Sequence, residues 1–232
     1  MNVLLFGATG MVGQGVLREC LLDPEVQLVL TVGRTRTGIE NPKLREMLMQ
    51  DLWQDASIGF DACFFCLGVT SAGLKEAEYE RLTYGLTLSV AEALARLNPQ
   101  MTFVYVSGAG TDSSEQGRIH WARIKGKTEN ALLRLPFKAA YMFRPGVIQP
   151  LHGIQSTKPL LPVLPRLLPN SILTTEQIGR AMLAVVRHSA PKRAWKAGIY
   201  GRLADRVGEH ADVVIPDLGI PSGDVEAVGL TC

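Results

Sequence analysis

Short apolar runs alternate along the chain with segments whose apolar residues recur every three or four positions. The runs "VLLFG" (3–7), "VQLVLTVG" (26–33), "ACFFCLG" (62–68), "MTFVYVSG" (101–108) and "AAYMFRPG" (139–146) are rich in Val, Leu, Phe and Tyr and predict buried β-strands. Each closes on a glycine, which suits a sheet edge where backbone must approach a ligand. Between the runs, Leu82, Leu86, Val90, Ala93 and Leu97 keep one face and predict a helix over 76–97. "EQGRIHWARIKGKTENALLRL" (115–135) predicts a second, with Trp121, Ile124, Thr128 and Leu132 marking its face. "TTEQIGRAMLAVVRHS" (174–189) predicts a third that opens on a threonine cap and turns Ile178, Met182 and Val185 inward.

Strand–helix alternation of this kind implies a parallel sheet covered on both faces, a Rossmann-like, doubly wound α/β domain over residues 1–190. Two stretches break the pattern. The segment 151–171, "LHGIQSTKPLLPVLPRLLPNS", carries four prolines and cannot be regular helix throughout. Its apolar residues could line a substrate pocket or pack the loop itself. The tail 191–232 has weak periodicity and many glycines, and is expected to add only a small substrate-side region; "ADVVIPDLG" within it could supply a final strand.

Composition narrows the field. At 232 residues the chain suits one α/β domain with a sizeable core. Its 24 Lys+Arg against 22 Asp+Glu leave it almost neutral, so neither nucleic acid nor a membrane surface is the expected partner. Arg118, Arg123, Lys125 and Lys127 form the densest basic cluster, at the spacing of a solvated helix face. The start runs directly into a strand-like segment, no stretch approaches the ~20 apolar residues of a membrane span, and the four cysteines are scattered. A reducing cytoplasm is the expected location. Cys63 and Cys66 form a C-x-x-C, but on a strand residues three apart point to opposite faces, so both thiols are expected in the core and no metal is expected.

Chemistry is clearest at the first strand. "LLFGATGMVGQG" places Gly7, Gly10 and Gly13 directly after a strand and before a helix, with Thr9, Met11 and Val12 completing the loop. In that context a glycine triplet aims backbone N–H groups and a helix N-terminus at a pyrophosphate. Where a cofactor with a free ribose 2′-hydroxyl usually meets an acidic residue, this chain offers Arg34 and Arg36 in "TVGRTRTG". Guanidinium matches a 2′-phosphate, so NADP(H) is expected over NAD(H).

Together "GATGMVG", "GRTRT", "QDL", "CLGVT", "YVSGAG", "WARIKGKTE", "FRPG" and "TTEQIGRAML" resemble the short-chain dehydrogenase/reductase superfamily, and within it the atypical epimerase-like branch related to the Tat-interacting oxidoreductase-like proteins. The resemblance covers roughly residues 1–190. It implies that Asp51 and Leu52 border the adenine, that Leu67, Gly68 and Val69 pass along the cofactor, and that Ser107 faces the nicotinamide end. It further implies that Lys125 holds the nicotinamide ribose and that Arg144, Pro145 and Gly146 close the site. The chain departs from the pattern at Trp121, where the superfamily has a tyrosine that moves the substrate proton. Indole has one N–H donor and no acid–base chemistry near neutral pH. Trp121 lies one turn before Lys125 on the same face and could stack beside the nicotinamide. His120 is the first candidate for a replacement acid, although it points roughly 100° away around the helix.

Two functions follow. One is an NADP(H)-dependent reductase or epimerase-like enzyme acting on a small carbonyl or hydroxyl compound through Ser107, Lys125 and His120. The other is a catalytically weak or inactive NADP(H)-binding sensor that reports to a protein partner. A helix face in this fold could also serve a homodimer.

Overall fold

The computed structural model describes residues 1–49, 59–150, 172–189 and 194–196. In chain order these form β1 (Asn2–Phe6), α1 (Met11–Leu22), β2 (Leu28–Gly33), β3 (Leu44–Leu48), β4 (Ala62–Phe65) and α2 (Glu76–Glu80). A π-helical turn, Arg81–Gly85, then leads into α3 (Leu86–Leu97), followed by β5 (Thr102–Val106), α4 (His120–Leu132) and β6 (Ala139–Arg144). The remaining elements are β7 (Val147–Gln149), β8 (Ile172–Thr174), α5 (Thr175–His188) and β9 (Ala194–Lys196).

Seven strands make one sheet in the order β3-β2-β1-β4-β5-β6-β9, and every neighbouring pair is parallel. This is the doubly wound Rossmann-like arrangement expected from the sequence, with the order reversing beside β1. Because successive strand residues face opposite ways, the sheet feeds two cores. Val3, Leu5, Phe64, Val104 and Phe143 pack against Val16 and Leu17 of α1 and against Ile178, Met182 and Val185 of α5. Leu4, Phe6, Phe65, Phe103 and Tyr105 face the other way, against Val90 and Leu94 of α3 and Leu132 of α4. Phe6, Phe65 and Phe103 run as an aromatic row across the second core, with ring centroids 5.1 and 5.9 Å apart. Cys63 belongs to the second core, whereas Cys66 packs against the first, as the strand reading of the C-x-x-C required.

Helix α5 begins as its sequence predicts. The Thr174 hydroxyl accepts from the Gln177 N–H at 3.1 Å, and the Gln177 side chain accepts from the Thr174 N–H at 3.0 Å, a reciprocal capping box. It lies tightly on α1: a Cβ placed at Gly15 would come within 2.3 Å of the Thr175 Cβ, and one at Gly179 within 3.0 Å of the Glu19 Cβ. Arg187 pairs with Asp23 at the far end of that contact.

Other sequence expectations shift. The helix over 76–97 is interrupted by the π-helical turn, which is one residue wider than an α-turn and rotates the downstream face. Thr83, Thr87, Leu94 and Ala95 are therefore buried, while Leu97 is 49% exposed. The helix over 115–135 is shorter, because residues 109–119 form a hydrogen-bonded loop before His120. Strands β7, β8 and β9 have three residues each, and β3, like them, carries no strong periodic signal. The pairing of β7 with β8 brackets the segment 151–171, which lies outside the described residues, as do Asp51 and Leu52 and most of the tail. Within that tail the described strand is Ala194–Lys196, which extends the sheet beyond β6.

Candidate functional site

All the strands of the large sheet point the same way, so the segments following β1, β2, β4, β5 and β6 share its carboxyl edge, where ligands bind in open α/β sheets. After β1 the chain turns on Gly7 at φ +80°, a conformation that favours glycine. A Cβ there would lie 2.7 Å from the Cys66 carbonyl oxygen, and one at Gly13 would lie 1.9 Å from the Gly7 carbonyl oxygen. Glycine is required at both positions so that α1 can start directly over the end of β1. Gly10 caps α1 with no side-chain hydrogen bond, and the first turn carries no acidic residue. Its leading N–H groups are thus left for an anion. Thr9 and Gly10 are exposed, and Met11 and Val12 are half-buried. The Gly7–Cys66 contact brings the Leu67 N–H against this loop, and Gly68 and Val69 follow it in the chain.

Arg34 and Arg36 follow β2 at the same edge, both exposed and without an ion pair among the described residues. A nearby carboxylate, Glu46 of β3, accepts from both the N–H and the hydroxyl of Thr37 at 2.6 Å.

The third group gathers after β5. Ser107 prolongs the β5–β6 pairing: its N–H donates to the Phe143 carbonyl at 2.7 Å, and the Ala109 N–H donates to Pro145 at 2.8 Å. This sets Arg144, Pro145 and Gly146 beside Ser107. Lys125 reaches across from α4 and donates from Nζ to the Ser107 carbonyl at 2.7 Å. One turn earlier, the Trp121 indole lies over Gly110, which has φ +86° and would place a Cβ 3.3 Å from the ring. Trp121 and Lys125 therefore share a face over the loop, as their spacing predicts. His120 sits elsewhere. Its ring meets Tyr79 of α2 edge-on at 6.1 Å, and its buried Nε2 has no hydrogen-bond partner among the described residues. It belongs to the row facing α2, where Arg123 pairs with Glu76 and Lys127 with Glu80; those two cations are ion-paired rather than merely solvated. Tyr105 is core, 1% exposed, and burial pushes its hydroxyl well above the ordinary tyrosine value.

Sequence reasoning missed Glu129. It is 1% exposed, and its carboxylate takes the Ser107 hydroxyl together with a forked contact from Arg144, whose Nε lies 3.0 and 3.1 Å from the two oxygens. Arg144 also donates to Ser113 of the loop. Spacing held the signal: Trp121, Lys125 and Glu129 recur every four residues along one side of α4. Gly126 was missed for want of a tertiary frame, since a Cβ there would lie 1.7 Å from the Asp112 carbonyl oxygen. The loop is further tied by the Asp112 N–H to Ala122 at 3.1 Å and by Asn130 to Ser113 at 2.9 Å. Hydrogen bonds from the Ser114 hydroxyl and the Gly117 N–H hold the Asp112 carboxyl below its usual range.

Among the described residues no group of three or more His, Cys, Asp and Glu is placed to hold a metal, and no helix is long and apolar enough to cross a membrane.

These features define a doubly wound, Rossmann-like α/β domain with a glycine-lined turn between its first strand and first helix. No protein-family model matches the chain. Among solved structures it resembles the ADP-L-glycero-D-manno-heptose-6-epimerase of Helicobacter pylori, with a TM-score of 0.64 and 14% identity over 90% of this chain and 82% of that one. It also resembles the Bordetella bronchiseptica enzyme WbmH, solved with NAD+, with a TM-score of 0.63 and 15% identity over 84% of this chain and 74% of that one. At these identities the likeness is one of fold. Among curated proteins it is 28% identical over 154 residues to "Protein FMP52-2, mitochondrial" of Scheffersomyces stipitis, a match spanning 63% of this chain and 66% of the relative, just under two thirds of the latter's length. It is 27% identical over 236 residues to "Protein fmp52-2, mitochondrial" of Aspergillus oryzae, covering 90% of this chain and 94% of that one. These names overturn the expectation of a cytoplasmic protein, which rested on sequence pattern and scattered cysteines. Neither feature distinguishes cytoplasm from another reducing compartment.

Proposed function

We propose that the chain binds NADP(H) along the carboxyl edge of its sheet and works as an oxidoreductase or epimerase-like protein on a small carbonyl or hydroxyl compound. One observation carries this reading. The N-terminus of α1, uncapped by any side chain and free of acidic residues in its first turn, opens on the same sheet edge as Ser107 and Lys125. The residues fit the cofactor: Gly7 and Gly13 leave no room for a side chain beneath a pyrophosphate, and the exposed guanidinium groups of Arg34 and Arg36 after β2 support a 2′-phosphate. Lys125 supplies donors for ribose hydroxyls, and Leu67, Gly68 and Val69 flank the path between. A bound nicotinamide dinucleotide would supply hydride transfer; the chain supplies binding, orientation and hydrogen bonds.

Trp121 favours a second reading. With the proton-moving tyrosine replaced by indole and His120 turned toward Tyr79, the site retains binding groups but lacks the usual relay, which suits an NADP(H) sensor. Calorimetric titration with NADPH tests the shared claim. Wild type should bind, and Gly13→Ala should weaken binding by ~100-fold or more, because it forces α1 away from β1. Equal affinities would remove the glycine loop from the site. Carbonyl reductase assays of wild type and Trp121→Tyr then separate the two readings: turnover by wild type, or turnover gained with the tyrosine, supports the enzyme, and inactivity of both with tight binding supports the sensor.

A further inference from the structure

The Ser107 hydroxyl has one proton to give and two lone pairs to receive. Both of its partners, the Glu129 carboxylate and the Phe143 carbonyl oxygen at 3.2 Å, can only accept. Arg144 sets donors against both Glu129 oxygens, 3.0 and 3.1 Å from its Nε, and the side chains of the pair are 2% and 14% exposed. A guanidinium stays charged, so Glu129 is held as an acceptor. The Ser107 proton is therefore turned into the protein, whichever partner takes it, and only lone pairs are left to meet a ligand.

We propose that Glu129 is a specificity-determining positioning residue. By holding the Ser107 proton inward it makes Ser107 an acceptor, so the compound that docks at Ser107 is an alcohol rather than a ketone or aldehyde. The inference rests on the NADP(H) reading, which places a ligand at this end of the sheet edge. A purely structural Glu129–Arg144 pair would have no bearing on that choice.

The test uses matched pairs of secondary alcohol and ketone, cyclohexanol and cyclohexanone among them, bound to protein saturated with NADP⁺ or NADPH and followed by ligand-observed NMR. Alcohols should bind about tenfold tighter than their ketone partners, the worth of one hydrogen bond. Glu129→Gln places a carboxamide that can donate to Ser107 and leaves only the longer 3.2 Å contact with the Phe143 carbonyl to hold its proton inward, so the preference should shrink markedly. Ser107→Ala, which leaves the Glu129–Arg144 pair in place, should abolish the preference and covers the case in which Glu129→Gln does not fold. Equal binding within pairs, a ketone preference in the wild type, no binding of any pair, or an unchanged preference in Ser107→Ala would each overturn the proposal. NADPH titration of the same wild-type sample separates the levels. Cofactor binding without an alcohol preference defeats this inference alone, whereas absent cofactor binding defeats the reading beneath it.

Discussion

Glu129 and Arg144 form a buried ion pair that also fixes Ser107 and, through Ser113, the loop before α4. Removing Glu129 leaves Arg144, 14% exposed, charged and largely out of water, which costs more than the pair contributes. Glu129→Ala should therefore lower stability by about 3–5 kcal/mol in urea denaturation. A loss of under about 1 kcal/mol would show that the carboxylate is not buried against Arg144 as described. Gly126 acts through space rather than charge: with a Cβ only 1.7 Å from the Asp112 carbonyl oxygen, Gly126→Ala must displace the loop. It is expected to cost about 1–3 kcal/mol and to speed amide exchange over residues 111–117. Unchanged exchange would mean that α4, and not the loop, gives way.

Strands β1, β2, β4, β5 and β6 and helix α5 could be read directly from the sequence, because buried strands are dense in Val and Phe and the α5 cap sits at the required spacing. The glycine turn between β1 and α1 was equally legible, since its glycines follow a strand. The register of α3 was not, because the π-helical turn adds a residue that propensity cannot foresee. The two leucines near the end of α3 test that shift. Leu94→Ala should cost about 2–5 kcal/mol and Leu97→Ala no more than about 0.5 kcal/mol, because Leu94 is 4% and Leu97 49% exposed. The reverse order would restore the uninterrupted helix. Glu129 escaped for a related reason: on one chain it reads as an ordinary helix glutamate, and only β6 brings Arg144 to it.

At the scale of the whole molecule, Cys20 and Cys63 lie in the cores and Cys66 packs against one, and burial pushes all three thiols up, Cys66 to about 12. Unfolding lets Cys66 ionise near its ordinary value of 9.0, whereas folding delays ionisation to about 12. Its contribution to stability is thus complete below pH 9.0 and lost as pH rises toward about 12. Denaturation midpoints should fall across that window, and alkylation of Cys20 and Cys63 at pH 8 should wait on unfolding; labelling of these two in folded protein at free-thiol rates would contradict their burial. The site is likewise a property of the whole sheet, since its parts follow five different strands and meet only because all run parallel. Its central claim is tested most directly by calorimetric titration with NADPH, NADP⁺, NADH and NAD⁺, for wild type and for the Arg34→Ala/Arg36→Ala double variant. The account predicts that wild type binds the phosphorylated forms at least about tenfold more tightly and that the variant loses this preference, since charge-assisted hydrogen bonds to a 2′-phosphate are worth that much. Failure to bind any of the four, or a wild type indifferent to the 2′-phosphate, would contradict it.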